Sequence, residues 1–194
     1  MGKTMKAAAL IAVFVVTLSV AASAQVTGQV AANIAPPWDE GIQPINQNNY
    51  WNAVACGKLG GNNPPCVFYD TGLCKNDDFI LALHTPYKQV AYEVWGTVRQ
   101  GKEPPTPSYS AAQRARVTIG VTLEKGAKNV IAAVVVRRGG KAVTPESRAL
   151  DATGGSFTFD FPAFAPTSDI TIELVGKTRT VSCFVQKNIL ARFR

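Results

Sequence analysis

His84 is the sole imidazole in 194 residues, so any Ser–His or Cys–His nucleophilic machinery would have to run through it. No Gly-x-Ser-x-Gly elbow marks a partner serine, and four cysteines form an even set suited to two bonds. His84 directly precedes Thr85-Pro86, which reads as a turn, and is taken as a turn histidine rather than a catalytic one. Asp70, Asp77 and Asp78 gather around Cys74, where oxygen ligands on a constrained loop could hold calcium. Their spacing does not follow a calcium-loop pattern, so they are weak metal candidates and are read as solvated turn carboxylates. No pair of acids is singled out for glycoside hydrolysis. A single histidine excludes a multi-histidine metal site, and the absence of paired CxxC motifs excludes a four-cysteine zinc ribbon and a c-type haem attachment. No cofactor is expected, and the chain reads as non-catalytic.

A second constellation is aromatic. Trp38, Tyr50 and Trp51 lie in a segment rich in proline and asparagine, and Trp95 follows further on. Aromatic rings beside amides can stack on sugars or anchor a peptide, so these four are the candidate ligand-binding residues. The alternative is that they pack as a satellite core over one end of the domain. Basic residues collect at turns, namely Lys125, Lys128, Arg137, Arg138, Lys141, Lys177 and Arg179. They lack the interleaved aromatics of a nucleic-acid platform, so no nucleic-acid partner is expected.

Positioning of these groups depends on where the protein resides. Lys3 and Lys6 precede an apolar run from Ala7 to Ala22, and Ala22-Ser23-Ala24 supplies small residues for cleavage before Gln25. This is the layout of a secretory leader over residues 1–24, leaving a mature chain with no transmembrane span, secreted or periplasmic. The mature chain carries eighteen basic and thirteen acidic residues, net +5, with the excess confined to its back half. In an oxidising compartment Cys56, Cys66, Cys74 and Cys183 are expected as disulfides. The turn-rich stretch between Cys56 and Cys66 lets those two meet, which leaves Cys74 to reach Cys183.

Residues 25–77 show little regular pattern beyond an edge strand over Gln25–Ile34 and a short helix around Tyr50–Cys56. From residue 78 to 194 the apolar residues recur with period two. Strands are expected over Phe79–Leu83, Val90–Val98, Val117–Leu123, Val130–Val136, Phe157–Phe161, Ile170–Leu174 and Val181–Val185. Turn chemistry separates them, as at Arg138-Gly-Gly-Lys141, and no amphipathic helix is read between them. The connection from Arg99 to Arg114, with Pro104-Pro105-Thr106-Pro107, is expected to be an extended exposed loop. Most of these strands have only five to eight residues, short of the roughly 9–11 per crossing that a transmembrane barrel needs.

An all-β antiparallel sandwich of about seven strands follows, with an irregular disulfide-stapled N-terminal segment packed on it. Over Asp78–Lys187 the strand number and spacing resemble an immunoglobulin-like or fibronectin-type sandwich. Val181 stands where a tyrosine corner would require Tyr, and no Cys–Trp–Cys spacing falls in the strands, so the likeness is one of architecture. The function expected is an exported structural, adhesive or interaction module meeting a protein or glycan at the cell surface. The alternatives are a carbohydrate-binding module using Trp38, Tyr50, Trp51 and Trp95, and a small secreted hydrolase using His84 or a carboxylate pair.

Overall fold

The computed structural model describes residues 41–59, 66, 73–103 and 108–193. The expected leader, the expected strand over Gln25–Ile34, Trp38 and Asp70 lie outside the described residues. In chain order the elements are α1 (Gln47–Lys58), β1 (Phe79–His84), α2 (Pro86–Arg99), α3 (Tyr109–Arg114), β2 (Val117–Leu123), β3 (Ile131–Arg138) and β4 (Lys141–Val143). They continue with β5 (Ser147–Leu150), β6 (Gly154–Phe159), a 3-10 turn (Phe161–Phe164), β7 (Ile170–Gly176), β8 (Thr180–Val185) and α4 (Lys187–Leu190).

The fold is mostly β, with two four-stranded sheets ordered β1-β2-β6-β5 and β4-β3-β7-β8, antiparallel throughout. Alternation in the sequence becomes alternation between a buried and a solvated face. In the first sheet Ile119 stands opposite Leu83 on one side and Phe157 on the other. In the second, Ile172 stands between Val136 and Cys183. All six belong to one hydrophobic cluster that both sheets share, together with Phe159, Phe164 and Phe193. Each large side chain buried there contributes about 1.5–3 kcal/mol of transfer free energy. Between β3 and β4 the chain reverses through Gly139 and Gly140, both at positive φ (53° and 78°), as a two-residue hairpin loop matching the strand twist requires.

Two ties close the open end of this body. Cys74 pairs with Cys183, Cα atoms 5.1 Å apart, linking the segment before β1 to β8 across 109 positions. Beside it, buried Asp78 accepts from Arg179 Nε at 2.6 Å and from Asn129 Nδ2 at 2.8 Å. The Asn129 carbonyl oxygen accepts from the Thr178 backbone and hydroxyl, so one satisfied network joins the start of β1, the β2–β3 loop and the β7–β8 turn.

The structure corrects the sequence-based reading at several points. Val90–Val98 is not a strand but most of helix α2. Val90, Val94 and Val98 are four apart, a spacing that satisfies period two and period 3.6 alike. The deciding signal is Thr85-Pro86, which caps a helix rather than making a turn: Thr85 Oγ1 accepts from Lys88 N at 3.1 Å and Pro86 occupies the first turn. An amphipathic helix therefore does lie between strands. The connection expected to be extended from Arg99 to Arg114 contains α3, capped by Ser108. Six of the seven expected strands are present, and β4 and β5 add to them. The helix expected around Tyr50–Cys56 is α1, capped by Asn46, whose Oδ1 accepts from Asn49 N at 2.8 Å.

Candidate functional site

Helices α1, α2 and α3 build a second, smaller core. Ile45, Tyr50, Ala53, Val54, Tyr87, Val90, Ala91, Val94 and Ala112 form a cluster of their own, distinct from that of the sheets. On α2 the buried positions recur at three- and four-residue intervals, one face of a helix. Helix α1 comes close to it at Gly57, where an added Cβ would lie 2.5 Å from Ala91 O and 2.7 Å from Val94 Cβ. In the last turn of α1, Cys56 is paired with Cys66, Cα atoms 6.1 Å apart.

A cleft of about 390 Å³ opens between these helices. Pro86, Val90, Ala111, Ala112 and Ala115 supply its apolar lining, and Tyr50, Gln89, Glu93 and Ser108 its polar groups. Gln89 donates its amide N–H groups to His84 O and Arg116 O, at 3.0 and 2.7 Å, which leaves its carbonyl oxygen as the available acceptor. Among the described residues the Glu93 carboxylate makes no ion pair or hydrogen bond; its backbone oxygen accepts from Thr97 Oγ1. Burial and then the charge of Glu93 push the Tyr50 hydroxyl above its ordinary pKa, so it stays protonated near neutrality. The Ser108 hydroxyl is already engaged, accepting from Ala111 N and meeting Ser110 Oγ at 3.0 Å.

The residues singled out from the sequence disperse. The aromatic rings fall into two chains of edge-to-face contacts. In one, Tyr50 touches both Trp51 (5.1 Å) and Tyr109 (5.4 Å); in the other, Tyr92 touches both His84 (6.4 Å) and Trp95 (5.5 Å). Tyr50 is core, Trp51 is 53% exposed, and Trp95 is half-buried with the Arg99 guanidinium 5.3 Å from its ring centroid. His84 closes β1 with its ring against β2 at Gly120. Asp77 is exposed, and Asp78 is consumed by Arg179 and Asn129. Among the described residues no group of three or more His, Cys, Asp or Glu is placed to hold a metal ion. Several basic turn residues are also engaged. Arg137 bonds Glu173 at 2.6 Å, and Arg138 reaches Ser168 at 3.0 Å as well as Pro162 O and Thr167 Oγ1.

Sequence reasoning missed Gln89, Glu93 and Ser108. Reading Val90–Val98 as a strand put Glu93 on a solvated face, whereas in α2 it lies one helical turn from Gln89. The signal that could have found it is the Thr85-Pro86 cap followed by Tyr87, Val90, Ala91 and Val94 at helical spacing.

Fold and site together define a two-sheet antiparallel domain carrying a disulfide-tied helical cluster with an acceptor-bearing cleft. Comparison of the chain with protein-family models, with curated proteins and with solved structures finds no match in any of the three. Among the described residues no helix is long and apolar enough to cross a membrane.

Proposed function

We propose that this chain is an exported, non-catalytic interaction module, secreted or periplasmic, built on a sandwich of immunoglobulin or fibronectin-like kind. The leader pattern over residues 1–24 and the two cysteine pairs support export. The observation that carries the interaction reading is where exposed large apolar side chains stand. Ile80 (53% exposed), Leu150 (47%) and Phe184 (64%) lie on β1, β5 and β8, each an edge strand of its sheet. An edge strand offers unpaired backbone groups, and an apolar side chain beside them adds contact area for a protein partner.

A photo-reactive residue at position 184 or 150, placed in the protein expressed in its own cells, tests this. One dominant crosslinked partner is expected, lost when Ile80 or Phe184 is changed to Ser elsewhere in the same chain. Crosslinking indifferent to those changes overturns the reading. The exposure of Trp51 favours a second reading, a glycan-binding module; a glycan array on which Trp51→Ala abolishes binding would establish it in place of the first. Hydrolysis of a screened substrate that is lost in His84→Ala would replace both.

A further inference from the structure

We propose that the cleft between α1, α2 and α3 binds a small ammonium-bearing molecule with a short aliphatic body. No strand residue lines the cleft, and binding there does not depend on a protein partner at the exposed apolar side chains of the sheet edges. Its volume, about 390 Å³, falls within the range of small-ligand pockets. Chemistry then selects the ligand. Of the residues that line the cleft, Glu93 is the only Asp, Glu, Lys, Arg or His, and its carboxylate makes no ion pair among the described residues. Gln89 presents a second acceptor, because hydrogen bonds to His84 O and Arg116 O hold its N–H groups elsewhere.

Groups that would favour an anion are diverted. Arg116, next to the lining residue Ala115, carries its guanidinium to Asp160 at 3.3 Å and over Phe161. Lys88, on the turn of α2 that opens into the cleft, instead sets its ammonium 5.4 Å from the Tyr92 ring centroid. The capped N-termini of α2 and α3 spend N–H groups on Thr85 Oγ1 and Ser108 Oγ. What remains is an apolar wall of Pro86, Val90 and Ala111 beside one carboxylate and one carbonyl oxygen, complementary to an alkyl chain ending in an ammonium group.

Isothermal titration of the purified protein with putrescine and n-butylamine, and with butyrate as the anionic isostere, tests the proposal. Both amines should bind, putrescine more tightly in low salt, and butyrate should give no heat. Glu93→Gln, an isosteric change at an exposed position, should weaken amine binding about fivefold, the scale of one partly exposed charge pair. Ala111→Phe, also at an exposed position, should block the cleft and abolish binding while circular dichroism remains unchanged. Absence of binding by either amine overturns the proposal, as does equal binding of amine and butyrate, or amine affinity indifferent to both substitutions. None of these outcomes bears on crosslinking at the sheet edges, so this site and the interaction reading fail or stand separately.

Discussion

In the two-sheet body, Phe157, Phe159 and Phe164 fill the core beside branched aliphatic residues from both sheets, whereas the helical cluster closes around Tyr50, Tyr87 and three alanines, Ala53, Ala91 and Ala112. The first region gains its stability from large buried area arranged by a repeating strand pattern. The second gains it from short approach distances, as at Gly57, and from caps at Asn46, Thr85 and Ser108. Their disulfides differ in the same sense. Cys74–Cys183 spans 109 positions and ties the sheets, while Cys56–Cys66 spans 10 and closes a local loop at the end of α1. A change of one methylene is felt in either core, but at Gly57 an added Cβ meets a backbone oxygen, which side-chain repacking cannot move aside. The cleft belongs to the second region, where few side chains are large enough to fill the space between helices.

Breaking the two disulfides separately gives the largest test of that contrast. In the chain-entropy model the 109-position loop is worth about 4–5 kcal/mol and the 10-position loop about 2.5–3 kcal/mol. Changing Cys74 and Cys183 together to Ser should therefore lower the urea midpoint of the whole domain strongly. The matching change at Cys56 and Cys66 should act first on α1, seen as faster amide exchange there with β2 and β7 still protected. If both pairs shift one common transition with every amide affected alike, the two sheets and the helical cluster form a single cooperative unit and the contrast fails.

Gly57→Val comes next. The new side chain would have to displace Ala91 O or Val94, at an overpacking cost of about 1–3 kcal/mol. Amides of α1 and α2 should exchange faster and the near-ultraviolet signal of Trp51 should weaken, with the sheets unchanged. A variant as protected as the parent would show that α1 can move away from α2 without loss.

This difference between regions also explains what could be read from the sequence. Val117, Ile119 and Val121, or Ile170, Ile172 and Leu174, alternate over enough residues to fit only a strand, and they are strands. The pairing of Cys74 with Cys183 followed by elimination, because the turn-rich stretch between Cys56 and Cys66 lets those two meet and leaves only one partner for each of the others. In α2 the spacing of Val90, Val94 and Val98 fits both periods, so the pattern alone could not choose; the cap at Thr85 and the packing of Ala91 on Gly57 decide it. The short strands β4 and β5 escaped notice for a different reason: Ser147–Leu150 is exposed along its length and has no buried face to write an alternation into the sequence. The cleft was illegible because Tyr50, Gln89, Glu93 and Ser108 converge only after three helices pack.

Thr85→Ala isolates the cap that turned an ambiguous segment into a helix. Loss of the bond from Lys88 N should cost about 1 kcal/mol, read as a lower midpoint in urea and faster exchange over the first turn of α2. A larger loss confined to β1 would instead mean that Thr85 acts chiefly in the strand it follows.

The smallest expected effect is on the shape of a pH profile, and it belongs to the two-sheet body. Hydrogen bonds from Arg179 and then from Asn129 hold the Asp78 carboxyl below its ordinary value of 3.8. A pKa depressed in the folded state adds stability that is present above the unfolded value and is lost as pH falls through the folded one. Below about pH 4 the parent should therefore lose stability more steeply than Asp78→Asn, while the variant is less stable at neutral pH, where it gives up the charge on Arg179. Asp151, held low by its bonds to Thr153 in the β5–β6 turn, contributes to acid sensitivity in both proteins and drops out of the difference. Urea unfolding of the two proteins from about pH 2 to about pH 6, roughly two units either side of that ordinary value, is the measurement. Parallel profiles would show that Arg179 and Asn129 do not favour the ionised carboxylate in solution. Acid unfolding that starts in α1 and α2 while β1 and β8 stay protected would overturn the assignment of acid sensitivity to Asp78 and its partners, and the small core would then be the weaker region in acid as well as in packing.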